Sequence, residues 1–193
     1  MYEYIKGILA EATPTYAVVE CNGIGYYINI SVNTYSAVAS AKEVRLYLHQ
    51  IVREDAHLLY GFSEKEERTI FRQLISVSGV GANTASVMLS SMTVNEITGA
   101  ILTDNVNAIK SVKGIGLKTA QRIIIELKDK VNGTGMAGTA TLGAALTIKE
   151  EALAALVMLG FVKAQAAKVL DKIIASGGIT NVEELIKQAL KQL

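Results

Sequence analysis

The residues of this sequence best suited to chemistry are two glycine pairs set in one repeated phrase. Ser76-Val77-Ser78-Gly79-Val80-Gly81-Ala82-Asn83-Thr84-Ala85 returns as Ser111-Val112-Lys113-Gly114-Ile115-Gly116-Leu117-Lys118-Thr119-Ala120, with six of the ten aligned positions identical. A Gly-apolar-Gly turn gives the backbone freedom that a Cβ would deny it, and it brings main-chain N–H groups to the surface where the next helix starts. Such amides suit an anion, and phosphate in particular. The middle residue, Val80 or Ile115, can turn inward and anchor the turn. The candidate phosphate ligands are therefore Gly79, Gly81, Asn83 and Thr84 in the first copy, and Lys113, Gly114, Gly116, Lys118, Thr119 and Arg122 in the second. The copies differ in charge, because Lys113, Lys118 and Arg122 stand where the first copy has Ser78, Asn83 and Val87. A nucleotide-binding loop is excluded: Gly-Ile-Gly-Leu-Lys-Thr lacks the spacing and the Gly-Lys-Thr/Ser ending, and no strand pattern precedes it.

Helices must position these turns. Each copy follows a short apolar run, Phe71-Leu74-Ile75 or Val106-Ile109, and precedes another, Val87-Met88-Leu89 or Ile123-Ile124-Leu127, so each reads as helix, tight turn, helix. One copy alone reads equally well as an ordinary glycine-capped hairpin, whereas two copies point to a shared ligand. The pair resembles the helix-hairpin-helix motif, whose doubled form grips the backbone of a DNA duplex without reading its bases. That resemblance implies amide contacts to phosphates from Gly79, Gly81, Gly114 and Gly116. Ser63 with Glu66 and Thr93 with Glu96 fit capping boxes that would begin the helical units. Residues 64–131 are expected to hold about five helices.

The first sixty-odd residues are separate in composition, for all eight tyrosines fall between Tyr2 and Tyr60. Strands are expected at Tyr2 to Leu9, Tyr16 to Cys21, Gly25 to Ile30, Val44 to Val52 and Ala56 to Tyr60, with Asn22-Gly23 as a hairpin turn and a less regular stretch from Val32 to Ala41. The fold class expected is a five-stranded OB-type β barrel over residues 1–63, with an SH3-like barrel as the competing architecture, followed by an all-α tandem hairpin domain. The turn Arg53-Glu54-Asp55 joins two apolar strands. Its carboxylates read as a solvated tip or, in a DNA binder, as an acidic point that repels phosphates.

After Lys130 the composition changes again. Residues 132–147 carry glycines 133, 135, 138 and 143 and no charge, a flexible linker in composition, since each glycine weakens a helix by about 1 kcal/mol relative to alanine. Residues 148–193 read as three short helices, with capping boxes at Thr147/Glu150 and Thr180/Glu183 and breaks at Gly160-Phe161 and Gly177-Gly178. Leu156 and Leu159 either fill the core of this small bundle or form a hydrophobic patch for a partner, as in ubiquitin-associated-type bundles.

Composition narrows the function. Of 193 residues 50% are apolar, enough for real cores, and no run approaches the roughly eighteen uncharged residues of a membrane span, so no membrane is expected and the cytoplasm is. Cys21 is the lone cysteine, His49 and His57 have no partner spacing that suggests a relay, and no ligand cluster suggests a metal. Neither a catalytic residue nor a cofactor is expected. Net charge is only +1, yet residues 63–132 hold nine Lys/Arg against seven Asp/Glu while residues 1–62 hold four against six. DNA affinity would then come from a shaped face repeated in an oligomer.

Taken together, the start Tyr4-Ile5-Lys6-Gly7, the phrase Val52-Arg53-Glu54-Asp55-Ala56 with Leu58-Leu59-Tyr60-Gly61-Phe62, and the two hairpins resemble the RuvA family of Holliday-junction-binding subunits along the whole chain. The resemblance implies a homotetramer or double tetramer that holds a four-way junction open and square, with Glu54 and Asp55 as an acidic pin at the crossover. It implies a third domain that binds a RuvB-type hexameric ATPase through Leu156 and Leu159, with ATP used by that motor and a junction resolvase as a further partner. It also implies a bacterial, nucleoid-associated role in recombination and repair. Asn83 and Leu117 depart from the lysines common in such relatives, which points to a weaker or a more amide-dependent grip. The rivals are a DNA clamp belonging to a nuclease or glycosylase, and a protein-interaction scaffold whose hairpins are only structural.

Overall fold

A computed structural model describes residues 2–133, 144–175 and 181–192. They form two compact units that divide between Gly138 and Thr139. The first begins with five strands, β1 (Tyr4–Ala12), β2 (Tyr16–Cys21), β3 (Ile24–Ile30), β4 (Glu43–Val52) and β5 (His57–Phe62). They close a barrel in the order β1-β2-β3-β5-β4. All pairings are antiparallel except a short parallel seam, Asn29↔Tyr60 and Ile30↔Gly61. This is the OB-type barrel of the two alternatives. Asn22 (φ 51°) and Gly23 (φ 80°) make the β2–β3 turn, both in the left-handed region that Asn-Gly tolerates. Ile5, Ala17, Val19, Ile28, Leu46 and Leu48 fill the barrel.

The stretch expected to be irregular contains a helix, α1 (Val32–Val38). Its sequence is rich in Val, Asn and Thr, which are poor helix formers, and it is held by contacts from far along the chain. The Ser31 hydroxyl caps α1 by accepting from Thr34 N. Ser31 and Thr34 then donate to the two carboxylate oxygens of buried Glu67, and Asn33 Nδ2 donates to the Leu89 and Met92 carbonyls at 2.7 and 3.2 Å.

Five helices follow: α2 (Lys65–Ile75), α3 (Ala82–Ser91), α4 (Val94–Leu102), α5 (Val106–Lys110) and α6 (Leu117–Gly133). The Thr93/Glu96 capping box is present in full. The one expected at Ser63/Glu66 is not: Glu64 is the N-cap of α2, and the Ser63 hydroxyl instead donates to Glu67, drawn into the polar cluster around that carboxylate. Tyr60 and Phe62 of β5 belong to the same core as Phe71, Leu74, Met88, Ile101 and Ile123, so barrel and helices are packed as one unit. Arg68 reinforces the joint. Only 6% exposed, it donates to the Glu3 carbonyl (2.7 Å) and the Leu48 carbonyl (3.3 Å) and pairs with the Glu3 carboxylate, as a buried guanidinium must.

The second unit holds α7 (Ala144–Met158), α8 (Lys163–Ala175) and α9 (Val182–Leu190) around Ala152, Leu156, Ala166, Leu170, Ile173, Leu185 and Ala189. Gly160 (φ 98°) makes the expected break after α7. Two caps differ from expectation. Thr147 lies inside α7, which starts at Ala144, and α9 is capped by Asn181, whose side chain accepts from Glu184 N. Most of the expected linker, residues 134–143, and the Gly177-Gly178 break lie outside the described residues.

Candidate nucleic-acid interface

The two repeated phrases fold alike to the level of single bonds. Val80 N donates to the Val77 carbonyl at 3.0 Å, and Ile115 N to the Val112 carbonyl at 3.1 Å. Gly79 and Gly114 take φ of 91° and 92°, so each turn needs glycine at its first position for conformational reasons. Val80 and Ile115 are both buried at 5% exposure, the inward anchors expected. The helices after the turns open with equivalent bonds, Ala85 N to the Gly81 carbonyl and Ala120 N to the Gly116 carbonyl. The amides of Ala82, Asn83 and Thr84, and of Leu117, Lys118 and Thr119, precede those first intrahelical bonds and are left for an external acceptor. Gly81, the N-cap of α3, supplies no side chain to satisfy them.

The second glycine of each pair tells more. Gly81 has φ −87° and ψ 169°, a conformation open to any residue, and a Cβ on Gly81 or Gly116 would meet nothing within 4 Å. The hairpin itself therefore does not demand glycine at these two positions. A ligand that had to approach the backbone closely would. This separates the roles that a sequence reading assigns jointly to the Gly-x-Gly pair.

The candidate side chains divide in the same way. Gly79, Gly81 and Asn83 are exposed and Thr84 is half-buried beside the first turn; Lys113, Gly114, Gly116 and Lys118 are exposed and Thr119 is half-buried beside the second. Lys113 and Lys118 make no hydrogen bond or ion pair with other described residues. Arg122, also exposed, reaches back to the first turn and donates from Nη1 to the Ser78 carbonyl at 3.0 Å, while Lys130 Nζ donates to Ser76 Oγ at 3.2 Å. Sequence reading missed both bonds, which join residues 44 and 54 positions apart with no local signal.

Arg53, Glu54 and Asp55 form an exposed tip between β4 and β5, closed by Arg53 N donating to the Ala56 carbonyl at 2.8 Å. Ile51 and Leu58 behind it pack on the helical core, which fixes the direction in which the tip leaves. Among the described residues neither His49 nor His57 is bonded to a carboxylate. His49 Nδ1 accepts from Arg72 Nε at 3.3 Å, and burial together with the charges of Arg72 and Arg68 holds its pKa below the usual value.

In the second unit, Leu156 is fully buried in the bundle core, a correction to its expected place on a partner surface. Its position one turn before the Gly160 break puts it on the inner face of α7. Leu159 is 61% exposed and is joined by Met158 and Val162, which sequence reading did not single out. Among the described residues no group of three metal-ligating side chains occurs, and no helix is long and apolar enough to cross a membrane.

Comparison with known proteins agrees with this division. Residues 1–61 match the RuvA N terminal domain, residues 71–129 the SAM-like helix-hairpin-helix tandem, and residues 147–193 the RuvA C-terminal domain. Over the full length of both chains, the sequence is 53% identical to the Holliday junction branch migration complex subunit RuvA of Christiangramia forsetii. It is 50% identical to that of Bacteroides fragilis and 49% to that of Flavobacterium psychrophilum, again with 100% of each chain covered. With RuvA models matching both ends and half the residues shared with these relatives end to end, the chain belongs to the RuvA family.

Proposed function

We propose that this protein binds four-way DNA junctions through their phosphates, holds them open and square, and serves as the non-catalytic subunit of a branch migration complex whose ATPase is a separate RuvB-type chain. The observation that carries the reading is the pair of turns with matching backbones, each presenting unbonded amides beside a glycine that its own fold does not require. Phosphate contacts position a protein on DNA without specifying sequence, which suits a target defined by shape. Lys113 and Lys118 add charge at the second turn; Asn83, Thr84 and Thr119 add polar side chains.

One chain with a net charge of +1 binds weakly, so the working form is a fourfold assembly that multiplies the contacts. Glu54 and Asp55 of each copy then face the crossover and turn phosphates away from it. In the tail, Leu159 with Met158 and Val162 meets the motor, while Leu156 supports them from beneath. The complex acts in the bacterial cytoplasm, and its junction is also a substrate for a resolvase.

The test is a gel-shift titration on a synthetic four-way junction against a linear duplex of the same arm sequences, at two salt concentrations. Junction preference that ignores arm sequence, weakens with salt and falls in Gly81→Val and Gly116→Val supports the proposal. Equal affinity for duplex reduces the protein to a general clamp, and no binding leaves an interaction scaffold.

A further inference from the structure

The first turn has no cation of its own among the positions that carry Lys113, Lys118 and Arg122 in the second. Two cations of α6 cross to it instead, Arg122 to the Ser78 carbonyl and Lys130 to Ser76 Oγ. The Ser78 carbonyl shares a peptide plane with the nitrogen of Gly79, the residue in the left-handed conformation. In a trans peptide, C=O and N–H point in opposite directions, so fixing one fixes the other. A guanidinium on the Ser78 oxygen also polarises that peptide and makes the Gly79 N–H a stronger donor.

We infer that Arg122 is a positioning residue for the first phosphate site: from the second hairpin it sets the peptide plane that aims the Gly79 amide, and so locks the two turns into one register. The inference rests on the phosphate-binding reading of the turns. It differs from the expectation that Arg122 is itself a phosphate ligand, and the two make opposite predictions. A direct ligand contributes one released counterion per copy, about 0.9 for each copy engaged in the slope of log K against log salt, whereas a residue acting through a neutral amide contributes none.

The experiment is a set of double-mutant cycles on junction affinity with the full chain, using Arg122→Met alone and in the Gly81→Val and Gly116→Val backgrounds, with a salt titration of each. The expected result is that Arg122→Met weakens binding by about tenfold for each copy engaged, the scale of one charge-assisted hydrogen bond, with an unchanged salt slope. Its effect should shrink below about twofold once Gly81→Val has blocked the first turn and persist in Gly116→Val. A slope lowered by about 0.9 or more, in proportion to the copies engaged, or a full effect surviving in Gly81→Val, overturns the inference in favour of direct contact. If Gly81→Val and Gly116→Val bind like the parent, the phosphate reading itself fails, an outcome distinct from failure of the strut. Should Arg122→Met not fold, amide chemical shifts in Arg122→Lys decide: a change at Gly79 without one at Gly114 supports the inference, and an unchanged Gly79 overturns it.

Discussion

The two hairpins share a backbone and differ in nearly everything attached to it. The first is tied to the barrel: α2 sends Arg68 and Glu67 into it, and the end of α3 takes the Asn33 side chain. The second brings the charge, with Lys113 and Lys118 beside its turn and Arg122 and Lys130 extended toward its neighbour. The two copies are thus divided in structure, one anchored to the barrel and the other carrying the added charge. A chain with few basic residues can bind DNA in this way, provided that the charged copy is held in register with the anchored one.

The strongest way to break the symmetry of the turns is to replace a first-position glycine. Gly79→Ala or Gly114→Ala should each lower stability by about 1–2 kcal/mol, because an L-residue is forced into the left-handed region, and denaturant melts will read it. Gly81→Ala and Gly116→Ala should leave the melt nearly unchanged, since each new methyl meets open space.

A milder change sharpens the difference in charge. Asn83→Lys should give the first turn a cation, raise junction affinity severalfold and steepen the salt dependence by about 0.9 for each copy engaged, while Lys118→Ala should do the reverse at the second. Equal and opposite slopes would mean that the hairpins are equivalent once charge is equalised.

The smallest effect lies where the barrel meets the anchored copy, at the contact of His49 with Arg72. His49 has its pKa lowered by burial and by Arg72 and Arg68, so as pH falls below about 6.5 the unfolded chain takes up the proton first. Protonation then favours unfolding, and stability is lost toward acid. A small fall in melting temperature between pH 7.5 and 5.5, absent in His49→Gln, is the expected outcome.

Sequence alone revealed what is local or repeated. The five strands, the Asn22-Gly23 turn, the duplicated hairpins and the Thr93/Glu96 box were legible because each is set by neighbours a few residues away. Failures occurred where a distant partner decides. Helix α1 exists because Glu67 and the end of α3 hold residues with weak helical preference. The hydroxyl of Ser63 abandons its own helix terminus for the same carboxylate. Leu156 and Leu159, three positions apart, looked alike in sequence, but the bundle buries one and exposes the other. Gly79 and Gly81 read as a single motif until their φ angles and surroundings separated them.

The parallel seam of the barrel has a consequence for how the edges of the sheet are covered. β3 and β5 meet over two residue pairs only, and Gly61 sits there because a Cβ would lie 2.6 Å from Ile28 Cγ2. Without β5, β1 to β4 would make an open sheet whose edges, β3 and β4, could pair with another copy. The strand that closes the barrel also supplies Tyr60 and Phe62 to the helical core. One segment therefore both removes the adhesive edges of the sheet and joins the sheet to the hairpins, so a change that loosened β5 would expose both at once.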